Sequence, residues 1–135
     1  MSVHVRLRVG SEVYAMPVEH VLEVAELGEV AQLPGAPPAV LGVRNLRGQI
    51  LPVVDLAALL GIAGGGEPRR LVIAESGGRL AGFAIDEVSD VGALPDALEE
   101  TESELLVGAA LVDDQLVGIV DVPRLFEALE EERGR

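Results

Sequence analysis

The sequence contains no cysteine and no lysine, and it has very few aromatic residues. Without cysteine the chain cannot form a disulfide, a thiolate metal site or a thiol nucleophile. One tyrosine, two phenylalanines and no tryptophan are too few rings to stack on exposed bases or to line an aromatic ligand pocket. The apolar residues make up 49% of the chain and are mostly valine, leucine and alanine, which is enough to bury a folded core.

Positive charge is also scarce. Ten arginines stand against 23 aspartates and glutamates, which gives a formal net charge of −13. A chain this acidic repels both the phosphate backbone of nucleic acids and anionic lipid head groups, so we expect no nucleic-acid partner and no direct binding to a membrane. The sequence shows no secretory leader pattern, and no apolar run approaches the roughly 20 residues that span a bilayer. We therefore expect a soluble cytoplasmic protein.

Alternating apolar residues, interrupted by frequent glycine and proline, predict a mostly β fold built from short elements. Three pairs of predicted strands are joined by turns at residues 10–12, 76–78 and 113–114. A short helix is predicted after Asp55, which suits an N-cap, and residues 122–132 have the spacing of a closing helix.

The two halves of the chain resemble each other. Gly42, Gln49, Val54 and Asp55 are each followed 66 residues later by a residue of the same type. This repetition predicts a duplicated β unit. Because a unit of this size is only marginally stable alone, we expect the two units to pack together and share a core. The first predicted unit covers approximately 1–66, and the second covers 67–135 with the C-terminal helix. The glycines at 64–66 read as a linker, and the pattern allows strands to be exchanged between the units.

No set of residues suggests catalysis, a cofactor site or a metal site. His4 lies on the polar face of the first predicted strand and is expected to be solvated, and His20 has no nucleophile or second histidine near it in sequence. The acidic pairs at 86–87 and 113–114 are better explained as strand-edge and turn residues than as ligands of a hard cation. The glycines at 64–66 lack the lysine of a P-loop. We therefore expect no enzyme and no cofactor.

One stretch, residues 41–56, contains more polar and charged residues than a simple turn and strand would need. It places Arg44, Asn45 and Arg47 between apolar runs and then turns at Gly48 into a strand. An arginine on a tight turn is notable in a chain with so few cations. Arg47 could pair with Glu23, or it could offer its two-pronged guanidinium to a carboxylate of a partner.

The same stretch resembles the signature of the CheW family, the coupling proteins of bacterial chemotaxis, which reads approximately G-V-x-N-L-R-G-x-I-x-P-V-x-D-L. The similarity extends from about residue 3 to about residue 130 and includes residues 86–91 and 117–121. The signature turn in this chain consists of Gly42, Asn45, Leu46 and Gly48, with Arg47 between the last two.

This resemblance implies two tandem SH3-like five-stranded β-barrels packed together, with short helices and no catalytic activity. It implies an adaptor between the cytoplasmic tips of methyl-accepting chemoreceptors and the regulatory domain of a CheA-type histidine kinase, recruited to membrane-associated receptor arrays. By position, Val21, Glu23 and Arg47 match family residues implicated in receptor binding, and Glu23 and Arg47 would form an ion pair. An apolar groove between the barrels would receive the helical hairpin of the receptor.

The alternative is a small-ligand sensor of the same fold, with a metabolite bound between the barrels. Such a site needs an enclosed pocket with convergent polar groups. The scarcity of serine, threonine, asparagine and aromatic residues argues against it.

Overall fold

The computed structural model describes residues 2–62, 66–96 and 99–133, and over these residues the chain is mostly β. A single 3-10 turn at Val18–His20 and two helices, α1 (Leu56–Leu60) and α2 (Val122–Arg133), accompany the strands in this part of the chain. The predicted hairpin turns and both predicted helices are confirmed. The ten strands of the described residues are β1 (Ser2–Val9), β2 (Glu12–Pro17), β3 (Val21–Glu26), β4 (Val40–Leu46), β5 (Gln49–Asp55), β6 (Arg70–Ser76), β7 (Arg79–Ile85), β8 (Glu87–Leu94), β9 (Leu106–Val112) and β10 (Gln115–Val120).

The strands form two five-stranded sheets with corresponding strand orders. The first sheet has the order β8-β1-β2-β10-β9, and the second has the order β3-β6-β7-β5-β4. Each strand of one sheet therefore has a counterpart at the same place in the other, for example β3 for β8 and β5 for β10. The helices correspond as well, since Asp55 caps α1 and Asp121 accepts a hydrogen bond from the Arg124 N–H in the first turn of α2.

Each sheet combines strands from before and after the glycine-rich stretch. The N-terminal hairpin β1–β2 pairs with β8 and β10, while the hairpin β6–β7 pairs with β3 and β5. The division near residues 66 and 67 therefore separates the two halves of the sequence repeat. It does not separate the two sheets, because each sheet contains a hairpin from one half and strands from the other. Residues 64 and 65 of the predicted linker lie outside the described residues.

A shared core joins the two sheets and α2. Strand β6 shows how it is organised, because Val72 belongs to the shared cluster while Ile73, on the opposite face, belongs to a separate cluster inside the second sheet. From α2, Phe126 meets Phe83 of β7 edge to face, with ring centroids 5.8 Å apart. The helix that follows the first sheet is therefore anchored on a strand of the second sheet.

The prediction for His4 is wrong, because its side chain is only 6% exposed. Its Nδ1 lies 2.9 Å from the carbonyl oxygen of Ser2. His4 and Val5 are consecutive in β1 and both are buried, so both faces of the strand are covered at this point. The apolar face ends instead at Val3, which is 46% exposed. Alternation identifies the two faces of a strand but does not indicate where each is covered.

Candidate functional site

In the second sheet, outer strand β4 and the turn after it approach the other outer strand, β3, and the segment that follows β3. We call this line of contacts the seam. The contacts at one end of the seam are backbone hydrogen bonds, and those at the other end are made by side chains. Because β3 and β4 lie at opposite ends of the strand order, these contacts close the sheet on itself. The three links of the seam are Ala31 with Val43, Arg44 with Glu26, and Arg47 with Glu23.

Arg47 and Glu23 form a two-pronged ion pair at the side-chain end of the seam. Arg47 Nη1 donates to Glu23 Oε1 at 2.6 Å, and Arg47 Nη2 donates to Glu23 Oε2 at 2.8 Å. Two parallel N–H···O bonds fix the orientation of both groups. The predicted pairing of Arg47 with Glu23 is therefore confirmed. The Arg47 side chain remains 74% exposed, whereas that of Glu23 is 28% exposed.

The turn that presents Arg47 is ordered by its neighbours in the signature. Arg47 and Gly48 have φ of 52° and 84°, which is the left-handed conformation that a two-residue type I′ hairpin turn requires. Glycine adopts this conformation freely, but arginine does so only when other contacts hold it. Asn45 supplies one such contact, since its Oδ1 accepts the Gly48 N–H at 2.9 Å. Leu46 supplies another by packing against the cluster inside the sheet.

Gly42 allows the close backbone approach at the other end of the seam. Its φ is 152°, and a Cβ at this position would lie 2.1 Å from the carbonyl oxygen of Ala31. No side chain fits there, so glycine is required for the backbone hydrogen bonds between Ala31 and Val43, at 2.8 and 2.9 Å. Gly108 occupies the matching place in β9.

Val21 lies at the start of β3, two residues before Glu23. It is partly buried and packs against the shared core. A bulge in the pairing of β3 with β6 falls between these two residues, at Leu22. Leu22 and Val24, the sequence neighbours of Glu23 on β3, are 57% and 42% exposed. Neither residue stands out in the sequence, because an apolar residue in a strand is normally taken as core.

The surroundings of Glu23 favour its charged form. The hydrogen bonds from Arg47 lower the pKa of the Glu23 carboxyl, and the charges of Arg47 and Arg44 add to this effect, while partial loss of water opposes it. The same hydrogen bonds raise the pKa of Arg47. The pair is thus fully ionised at neutral pH.

We predict that Glu23 titrates at a lower pH than an ordinary glutamate and that Arg47→Met moves its pKa back up. A carboxyl with a lowered folded-state pKa contributes stability above its unfolded pKa and loses that contribution as the pH falls through the folded pKa. The pair should therefore persist at neutral pH and break only in acid. Carbon-detected NMR titration of the side-chain carboxyl measures this. Arg124→Met, on α2, is the control and should leave the Glu23 titration unchanged.

The repeat does not carry the ion pair into the first sheet. The matching positions there hold Asp113 in place of Arg47 and Asp90 in place of Glu23. Asp113 has φ of 49° and forms the corresponding hairpin turn, as its turn prediction required. Asp90 lies 3.3 Å from Nε of Arg6. Only the second sheet, among the described residues, therefore presents an arginine–glutamate pair on such a turn.

The other ionisable candidates have structural partners. His20 Nδ1 lies 3.0 Å from the carbonyl oxygen of Glu75. Asp86 is 7% exposed, accepts the Gly10 N–H at 3.2 Å and lies 3.8 Å from Nη1 of Arg8. Over residues 2–62, 66–96 and 99–133, no group of three histidines and carboxylates is arranged to hold a metal ion. None of the described helices is long and apolar enough to span a bilayer.

Comparison with known proteins identifies the family. The family model of the CheW-like domain matches residues 4–130. The chain is similar to the chemotaxis protein CheW of Rhizobium meliloti, with 28% identity over 138 residues that cover 95% of this chain and 89% of that protein. It is also similar to protein FrzA of Myxococcus xanthus, with 33% identity over 127 residues that cover 90% of this chain and 76% of that protein.

A solved structure shares the fold. The scaffolding protein TtCheW from Thermoanaerobacter tengcongensis matches with a TM-score of 0.85 at 28% identity, over 93% of this chain and 87% of that one. The expected fold class is confirmed: the two five-stranded sheets are the tandem SH3-like barrels. The chain therefore belongs to the family of CheW-like domains, the adaptors that couple chemoreceptors to a CheA-type histidine kinase in bacterial chemosensory signalling.

Proposed function

We propose that Val21, Glu23 and Arg47 form the receptor-contact surface of this adaptor, and that they bind the cytoplasmic tip of a methyl-accepting chemoreceptor. The observation that carries this proposal is the exposed, two-pronged Arg47–Glu23 pair on a tight turn. A guanidinium has five N–H donors, and Glu23 engages two nitrogens of Arg47, so a 74% exposed side chain keeps donors for an acceptor on the receptor.

The apolar residues of β3 support the same surface. Leu22 and Val24 are exposed on either side of Glu23 in the sequence, and Val21 continues into the shared core. A helical hairpin docks by placing an apolar stripe against such side chains, while a charged group at the edge sets its register. The ion pair would thus orient the receptor tip, and the valines and leucine would supply the buried area.

On the kinase side, we propose that the chain binds the regulatory domain of a CheA-type histidine kinase, which is homologous in fold. The chain would act as an adaptor without catalytic activity or cofactor, in the cytoplasm and recruited to receptor arrays. Pairwise affinities in such assemblies can be modest, because many linked contacts strengthen one another.

The small-ligand alternative gains no support from the mainly apolar cavity beside α2 in the described residues. This open cavity, of ≈ 380 Å³, lies between β4, β5, β7 and α2, and its lining is mainly apolar. The charged groups at its rim, Arg79 and Glu130, bind each other at 2.6 Å. They are therefore not arranged to orient a polar metabolite.

The function is tested by calorimetric titration of the chain with two partners, a receptor-tip fragment and the kinase regulatory domain. We expect saturable binding to each, and binding of the second partner after saturation with the first. Absence of heat with both partners at tens of micromolar protein would show that this chain does not couple them. Binding of the kinase domain alone would remove the proposed role of Val21, Glu23 and Arg47.

A further inference from the structure

The two sides of the seam run antiparallel, and its links change from backbone hydrogen bonds at one end to side-chain hydrogen bonds at the other. Ala31 pairs with Val43 through backbone hydrogen bonds. One residue further along β4, Arg44 Nη1 donates to the backbone carbonyl oxygen of Glu26 at 2.7 Å. The Arg47–Glu23 pair comes next, three residues after Arg44 on one side and three residues before Glu26 on the other. Arg44 therefore makes the middle link, between the backbone pair and the ion pair.

The guanidinium of Arg44 packs against the backbone at Gly28. Gly28, which follows β3, has φ of 64°, and a Cβ there would lie 3.1 Å from Cζ of Arg44. The guanidinium thus lies against bare backbone and is itself only partly exposed. Arg44 also lies near enough to Glu23 for its charge to favour the ionised carboxyl.

The first sheet, over its described residues, lacks both the Arg44 link and the arginine–glutamate pair. Ala110 stands at the position matching Arg44 and is fully buried, with no side-chain donor, and Asp113 stands at the position matching Arg47. The backbone link is nevertheless retained there, as the pair Glu99 with Ala109. The first sheet is therefore linked there by backbone without an arginine, which indicates that Arg44 has a role other than closure as such.

We infer that Arg44 is a positioning residue that holds β3 against β4 so that both oxygens of Glu23 meet Arg47. This inference rests on the proposed role of the ion pair in receptor binding. The cause is geometric: Glu23 lies on β3 three residues before Glu26, and Arg47 lies on a turn at the far end of β4. Fixing the Glu26 carbonyl sets the distance between these two supports. Without that link, the guanidinium would follow the turn and lose one of its two hydrogen bonds.

The test uses Arg44→Met, which keeps an unbranched apolar stem but removes the guanidinium and its donors, and Arg44→Lys, which keeps a donor and the charge. The effect of Arg47→Met on the Glu23 pKa is measured by NMR with Arg44 present and again with Arg44→Met. This double-mutant cycle cancels the direct charge effect of Arg44 on Glu23. We expect the effect of Arg47→Met to shrink markedly when Arg44 is replaced by methionine, and to persist with Arg44→Lys.

Receptor-tip binding provides the second readout. We expect about a tenfold loss for Arg44→Met and recovery to within about threefold for Arg44→Lys, since a single carbonyl acceptor needs only one donor. Kinase-domain binding should not change in either variant. An equal effect of Arg47→Met on the Glu23 pKa in both backgrounds would overturn the inference, whatever the binding result. If the unaltered chain binds no receptor fragment, the proposed function fails, and the NMR cycle still decides the role of Arg44.

Discussion

Arg47→Glu is expected to weaken binding to a receptor-tip fragment by at least about 30-fold, the range seen for the central residues of an interface. The substitution places a second carboxylate opposite Glu23, so the two side chains repel each other where they now share two hydrogen bonds. It also removes the guanidinium donors that the turn offers to a partner. Calorimetric titration with the receptor fragment measures the loss.

The same substitution should leave the fold intact, because the exposed pair contributes little to stability. Thermal unfolding of Arg47→Glu is therefore expected within about 2 °C of the unaltered chain. Arg124→Glu makes the same change in net charge on the exposed face of α2 and should keep full binding. Arg47→Lys should fall between them, since an ammonium cannot hold both carboxylate oxygens in parallel. An unfolded Arg47→Glu variant would show instead that Arg47 is a structural residue.

Gly42→Ala is expected to lower the free energy of unfolding by about 3 kcal/mol or more, which places it among the severe single substitutions. The added Cβ would lie 2.1 Å from the carbonyl oxygen of Ala31, a distance at which the backbone must move. That movement breaks the hydrogen bonds between Ala31 and Val43 that begin the seam. Urea unfolding followed by circular dichroism measures the change.

Gly92→Ala is the matched control for Gly42→Ala. It makes the same substitution in β8, where no atom lies within 4 Å of the added Cβ and no left-handed φ is required. Its free energy of unfolding should stay within about 0.5 kcal/mol of the unaltered chain. Equal stability of the two variants would mean that the backbone at Ala31 can move at little cost in free energy, and that Gly42 is not required to close the seam.

Local features of the fold were predictable from the sequence because the responsible residues are neighbours in the chain. Asp55 caps α1 through the N–H groups of Ala57 and Ala58, and Gly61, with φ of 73°, ends it. Hairpins at residues 76–78 and 113–114 follow from turn chemistry in the same way. The parallel pairing of β2 with β10 was not predictable, because alternation shows that a segment is a strand and not which distant strand it joins.

The candidate site also contains residues that could be predicted from the sequence and residues that could not. The Arg47–Glu23 pair could be anticipated because arginine is scarce in this chain and both partners carry charge. Arg44 could not be assigned from the sequence, since its partner is the backbone carbonyl of Glu26, and every residue has such a carbonyl. The burial of His4 was missed because it depends on the tertiary packing over one end of β1, which alternation within the strand does not show.

The exchange of hairpins between the sheets has a consequence for how the chain is made. The hairpin β1–β2 leaves the ribosome before its partners β8 and β10. At about 5–20 residues per second, the hairpin waits on the order of ten seconds for them. During that time Leu7 and Met16, which are fully buried in the folded chain, remain uncovered. The first sheet therefore cannot form until β10 has been made, and until then the strong negative charge of the chain helps to keep the uncovered hairpin soluble.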